Sequence, residues 1–177
     1  MARNQRIGNK KPFHQRLLDH LVEDPTRSVR QTSEDLHANR QRIWRNRRAM
    51  EEENVIWGYT TVVDEVKLGR VLYLVMMKLR PMDRDLVSLI IERLRTGAPH
   101  KQDIRLVNLL YVNGEYDLIA MFSAPDHVTA RRYYDSLRVS YDGFLLAKPV
   151  IADVNFILIR NGKMNPELSR LEDFIPV

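Results

Sequence analysis

Hydrophobic positions along this chain follow two rhythms. From Phe13 to Val22 they return at helical spacing, at Phe13, Leu17, Leu18, Leu21 and Val22, between Pro12 and Asp24-Pro25. The stretch DPTRSVRQTSEDLHANRQRIWRNRRAMEEENVIWGY, Asp24 to Tyr59, predicts two more helices. Ser28 with Gln31 fits a capping box, in which a hydroxyl caps a backbone N–H and the side-chain amide reaches back. Val29, Thr32 or Ser33, and Leu36 then share one face of a short helix. His37 and Ala38 make a turn, and Asn39 is an N-cap for the next helix. In that helix Ile43, Trp44, Met50 and the trailing Val55 and Ile56 form the inward stripe.

After Gly58 the pattern becomes extended. Tyr59, Thr60, Thr61, Val62 and Val63 favour a strand, here a connector. Val71 to Leu79 is a nearly unbroken apolar run that ends at Arg80-Pro81. Asp83 caps an amphipathic helix with Leu86, Leu89, Ile90 and Leu94, which stops near Thr96-Gly97. Ile104 to Val112 is a second strand, Asn113-Gly114 a hairpin turn signal, and Asp117 to Phe122 the returning strand. Asp126 opens a helix through Tyr133, Tyr134 and Leu137, and Pro149 to Ile159 gives a last strand. The order β-α-β-β-α-β is the ferredoxin-like split pattern.

The fold class is therefore α+β. A three-helix helix-turn-helix domain spans 12–57, a linker strand 58–70, a ferredoxin-like domain 71–162 and a tail 163–177. In the tail Asn165 reads as a cap and Pro166 as the first helical residue, with Leu168, Leu171 and Phe174 docking it onto the body. An antiparallel sheet with helices on one side should alternate in polarity, yet VLYLVMM and LVNLLYV do not. Both faces are expected to be covered, one by helices and the other most simply by a second subunit.

Charge sharpens this picture. A net charge of +5 permits binding to a polyanion, but its placement says more. Arg40, Arg42, Arg45, Arg47 and Arg48, with Gln41 and Asn46, crowd one predicted helix. At about 100° per residue, Gln41, Arg42, Arg45 and Arg48 lie opposite the apolar stripe. The arginines fill the N-terminal half and Glu51, Glu52 and Glu53 the C-terminal end, the reverse of what the helix dipole prefers. A pattern that costs helix stability points to another use, and a cationic helix placed in the major groove of DNA supplies one. The expected contacts are Asn39 at the helix start, Gln41, Arg42 and Arg45 on base edges, and Arg40 and Arg48 on phosphates. Arg47 points toward the packed side, where it either snorkels past Trp44 or pairs with Glu51. The basic start MARNQRIGNKK reads as a frayed arm whose cations can touch phosphates.

Several classes drop out. The chain has no cysteine, which excludes disulfides and thiolate metal sites. It has no membrane-length apolar run and no signal-peptide core, so a cytoplasmic protein without a membrane partner is expected. His14, His20, His37, His100 and His127 are scattered without ligand spacing, and neither a phosphate-cradling glycine loop nor a nucleophile elbow is present. No catalytic residue, metal or cofactor is expected, and the reading is not an enzyme.

A helix-turn-helix, then Gly58-Tyr59, a linker strand and a β-α-β-β-α-β module resembles the Lrp/AsnC (feast/famine) transcription regulators of bacteria and archaea, over roughly residues 12 to 160. Gly114-Glu115-Tyr116-Asp117 looks like that family's Gly-x-Tyr/Phe-Asp turn. The resemblance implies a sequence-specific regulator that binds double-stranded operator DNA as a homodimer. It also implies rings of dimers, commonly octamers, and a small-molecule effector, often an amino acid held between subunits. By the same likeness Val112, Asn113, Gly114, Tyr116 and Asp117 border the effector pocket, backbone N–H groups taking a carboxylate and Asp117 an amino group. The competing reading makes Asn113-Gly114 a turn and bonds Asp117 to its backbone.

The chain departs from the family in three places. His37 stands where the family often has Gly, the helix from Ser28 to Leu36 is more polar than usual, and the tail beyond Gly162 is longer. Two further readings share the architecture. One is a metabolite-sensing module without DNA binding. The other is an enzyme similar to the sirohaem decarboxylases, but their His/Tyr/Arg-rich sheet has no counterpart in RLVNLLYVNGEYDLIAMF, and the basic helix would serve no purpose there.

Overall fold

Side-chain caps fix where the helices begin. In this computed structural model, which describes residues 11–97 and 103–176, Pro12 precedes α1 (Phe13–Glu23). Ser28 heads α2 (Val29–Asp35) through the expected capping box: Ser28 Oγ accepts from Gln31 N at 3.2 Å, and Gln31 Oε1 accepts from Ser28 N at 3.1 Å. Asn39 Oδ1 accepts from Arg42 N at 2.7 Å and heads α3 (Arg40–Glu52). The basic arm over residues 1–10 and His100 lie outside the described residues.

These helices close on Leu17, Leu21, Leu36, Ile43 and Met50, with Phe13, Val29 and Ile56 packed at the rim. Between α2 and α3 the backbone turns through His37 at φ 50, the left-handed region that favours glycine. After α3, Asn54 takes φ 57, and Val55 N and Asn54 N donate to Met50 O and Glu51 O at 2.9 and 3.2 Å. That pair of bonds is a Schellman stop.

Two positions of the expected inward stripe are corrected. Trp44 is 52% exposed and Val55 54%. Ile43 and Met50 are two turns apart and stack along one line, whereas Trp44 is about 100° round from Ile43 and falls past the edge of so small a core.

The chain separates into two units, Met1–Val62 and Val63–Val177, within the expected linker. The linker strand itself is not formed. Residues 58–64 have no strand structure and Glu65 to Gly69 make turns. β-propensity needs a neighbouring strand to complete a ladder, and none lies beside this stretch among the described residues.

In the second unit, β1 (Val71–Met77), α4 (Arg84–Arg95), β2 (Arg105–Tyr111), β3 (Leu118–Ala124), α5 (His127–Tyr141) and β4 (Val150–Asp153) follow in the predicted order. The strands pair antiparallel as β2-β3-β1-β4, the ferredoxin-like arrangement, with a bulge between Leu106 and Asn108. Asp83 and Asp126 cap α4 and α5 as expected. One sheet face, with Tyr73, Val75, Met77, Leu118 and Phe122, packs with Leu86 of α4 and Tyr133, Tyr134 and Leu137 of α5.

On the opposite face Leu74 pairs with Met121 and Met76 with Ile119, all four half-buried. Leu110 and Val150 extend this face outward and are exposed. The apolar runs thus leave a stripe on the face away from α4 and α5.

The last strand is shorter than predicted, Val150–Asp153, and a small hairpin follows, β5 (Ile159–Arg160) with β6 (Lys163–Met164). Its turn is Asn161-Gly162, both at positive φ (47 and 75), the primed two-residue form that twists with its strands. Asn113 and Gly114 have no positive φ and sit in a six-residue connection, 112–117, between β2 and β3. In the tail a 3-10 helix spans Leu168–Phe174, so Pro166 is not its first residue. Phe174 reaches Phe156, with ring centroids 6.0 Å apart, while Leu171 and Phe174 stay largely exposed.

Candidate nucleic-acid interface

The surface of α3 is built outward from its buried line. Ile43 and Met50 face the core, so Arg40, Gln41, Arg42, Arg45 and Arg48 are exposed, and Asn39 caps the helix they stand on. Their surroundings differ. Arg42 lies against α1, its Cζ 4.0 Å from the centre of the Phe13 ring. Arg48 Nε donates to Glu52 at 2.6 Å, and its Cζ lies 5.3 Å from the Trp44 ring. Arg45 is opposite Ile43 on the helix, with Gln41 beside it, and both point to solvent. The exposed Arg48–Glu52 pair holds weakly and gives way easily to a stronger anion.

Arg47 has a different task. It lies about 40° round the helix from Ile43, on the packed side, donates to Glu51 Oε1 at 3.1 Å and stacks 4.5 Å from the Tyr59 ring. The Tyr59 hydroxyl donates to the same carboxylate at 2.8 Å. Hydrogen bonds from Tyr59, and then from Arg47, hold the Glu51 carboxyl below its ordinary value. Of the two expected arrangements Arg47 takes the pairing with Glu51. The sequence does not announce Tyr59 as its third member.

No family model matches the chain, and no curated protein matches it by sequence. Solved structures do match. The leucine response regulatory protein of Mycobacterium tuberculosis superposes with a TM-score of 0.67 at 12% identity, over 88% of this chain and 99% of that one. An AsnC family transcriptional regulator from Agrobacterium tumefaciens gives 0.64 at 16% identity, over 93% and 99%. A transcriptional regulator of Neisseria meningitidis, solved in complex with L-methionine, gives 0.65 at 12% identity, over 85% and 92%. The fold is that of the Lrp/AsnC transcription regulators.

Within this Lrp/AsnC fold, the residues expected to border an effector form the 112–117 connection. Val112 N donates to Asp117 O at 2.9 Å and closes it. The Asp117 carboxylate is already engaged: Oδ2 accepts from Leu79 N at 2.8 Å and lies 3.3 Å from Lys78 Nζ. Lys78 also donates to Gly114 O at 3.2 Å. The Leu79 N–H is the main cause that keeps Asp117 below its ordinary value, and Lys78 adds to it. Gly114 has open space where a side chain would sit, and Asn113 is exposed. Val112, Asn113, Gly114, Tyr116 and Asp117 are thus together on one connection, with the Asp117 carboxylate turned to Lys78 and Leu79 just past the end of β1.

One cluster has no signal in the sequence. Glu65, 2% exposed, is paired with both Arg105 and Arg160, and Arg160 Nη1 also donates to Val63 O at 3.3 Å. Arg70 beside it donates to Ser123 Oγ at 3.0 Å and to Asp103 O at 2.8 Å. A lone glutamate gives no sign in the sequence that two distant arginines converge on it. No group of three or more potential metal ligands occurs among the described residues, and none of their helices is long and apolar enough to cross a membrane.

Proposed function

We propose that this protein is a non-enzymatic, sequence-specific DNA-binding regulator of the Lrp/AsnC type, acting in the cytoplasm as a dimer or a larger ring of dimers. The carrying observation is the outer face of α3, where Arg40, Gln41 and Arg45 stand exposed on a helix whose other side is locked into a core. Gln41, Arg42 and Arg45 read base edges, while Arg40 and Arg48 hold phosphates and Asn39 sets the helix start against the backbone. For Arg42 this means leaving the Phe13 ring, an exposed stacking contact worth about 0.5–1 kcal/mol.

The apolar stripe of Leu74, Met76, Ile119 and Met121 supports the dimer, with the sheet of a second copy as its cover. A small effector, an amino acid among the candidates, acts by shifting how the dimers are arranged, and with it the spacing of the reading heads. Residues 112–117 supply a border for it through their backbone groups.

The test is a gel shift over a salt series on DNA selected from random or genomic fragments. Several neutralised phosphates give a log–log slope with salt of about −0.9 for each. Absence of duplex binding even in dilute buffer would overturn the reading. Light scattering on the same sample should give at least twice the protomer mass.

A further inference from the structure

The span that joins the two units is pinned at both ends. In the first unit Tyr59 is tied to α3, its hydroxyl on Glu51 and its ring against Arg47. Val63 opens the second unit, and its carbonyl accepts from Arg160 Nη1 at 3.3 Å. Thr60, Thr61 and Val62 lie between these ties and are exposed.

Glu65 makes the second tie firm. Its buried carboxylate is paired with Arg105 on β2 and with Arg160 on β5. Its backbone oxygen accepts from Leu68 N at 3.0 Å and from Arg70 N at 2.9 Å, which folds 65–70 into successive turns. Arg70 fastens the end of those turns to Ser123 on β3. The strand that carries Arg160 is steadied from the tail. Asn165 Nδ2 donates to Ile157 O at 2.8 Å, Asn165 N to Leu158 O at 2.9 Å, and Lys67 Nζ to Glu167 Oε1 at 2.5 Å. Buried ion pairs stabilise little more than apolar packing does, yet removing one partner is costly. Such a triad holds a segment in one place.

The place matters for reach. An extended chain spans at most about 3.3–3.6 Å per residue, so the steps from Tyr59 to Val63 cover about 14 Å. With 63–70 released, the span from Tyr59 to Val71, the first residue of β1, would cover about 42 Å.

We propose that Glu65, with Arg105 and Arg160, is a clasp that keeps residues 63–70 out of the tether and so limits how far each reading head can move. Glu65 is a positioning residue, acting through tether length rather than on DNA. Its consequence rests on the DNA-binding reading, whereas the clasp itself is measured without DNA. Half-sites moved apart by five base pairs shift by about 17 Å and half a turn. A tether of about 14 Å does not span that shift, and a released one does.

The experiment uses the full chain, Glu65→Gln, and Glu167→Lys as a milder variant. Glu167 is exposed, and its reversal sets a cation against Lys67 and Arg170. Amide exchange without DNA is read first. In Glu65→Gln the Leu68 and Arg70 N–H groups should exchange at least about tenfold faster, and in Glu167→Lys about threefold. Val154 N–H, bonded to Leu72 O at 2.8 Å, should stay protected in both. Gel shifts then compare a selected operator with the same operator carrying five extra base pairs between its half-sites. The parent should lose at least about tenfold in affinity on the longer DNA and Glu65→Gln less than about threefold, with the unaltered operator bound alike. Parental exchange at Leu68 and Arg70 in a folded variant, or an equal loss on the longer DNA, overturns the clasp. If Glu65→Gln does not fold, Glu167→Lys decides the matter in the same directions. A parent that binds no duplex overturns the proposed function instead, and exchange alone then judges the clasp.

Discussion

Arg40 and Arg45 stand in solvent on α3, whereas Arg70 and Arg160 are largely withdrawn into the second unit around Glu65 and Ser123. The residue type is the same and the free-energy role is opposite. In the second unit the Arg70 and Arg160 guanidiniums are held by oxygens of their own chain, and Glu65 is buried away from solvent that could replace them. On α3 Arg40 and Arg45 are exposed, and under the proposed function their charge meets DNA. Which oxygens an arginine already holds separates an internal fastener from a reading surface.

Substitutions can break that contrast, and the largest effect belongs to the fastener. Glu65→Ala leaves Arg160 and Arg105 facing each other without their shared carboxylate, and should cost about 3–5 kcal/mol in urea unfolding, with the DNA affinity of the folded fraction unchanged. Arg45→Ala should do the reverse. Unfolding should shift by no more than about 0.5 kcal/mol, while operator binding falls by about 1–3 kcal/mol and preference relaxes at one or two base pairs. Unchanged selectivity would mean that α3 lies differently in the groove. For Arg48→Ala, affinity should fall alike for all sequences, with the salt slope flattened by about one. The smallest effect is expected at the turn before α3: His37→Gly relieves a left-handed backbone and should raise stability by at most about 1 kcal/mol, read as a higher urea midpoint.

Elements with local causes were the legible ones. The capping residues Ser28, Asn39, Asp83 and Asp126 mark helix starts within a few bonds of themselves, and each start was recoverable. The strand order followed from long apolar runs alternating with amphipathic ones. Failures occurred where a neighbour decides the outcome. Trp44 fits a helical stripe by spacing, but the five-residue core beneath has no room for it. Tyr59 to Val63 has strand-forming residues but no strand to pair with among the described residues.

Of the two Asn-Gly pairs, Asn161-Gly162 makes the tight turn because strands paired directly on either side demand it. Asn113-Gly114 sits in a connection long enough to bend without it. On the candidate interface, the identity and exposure of the arginines could be read from helical periodicity. The rings that Arg42 and Arg48 rest on could not, since Phe13 belongs to another helix and Trp44 has the spacing of an inward residue.

The stripe through Leu74 and Met121 has a consequence for how an operator fills. If two copies must join across it before both heads can engage, occupancy rises more steeply than a simple one-to-one isotherm. Dilution then empties the DNA even at constant salt, and cellular abundance becomes a control dial alongside any metabolite.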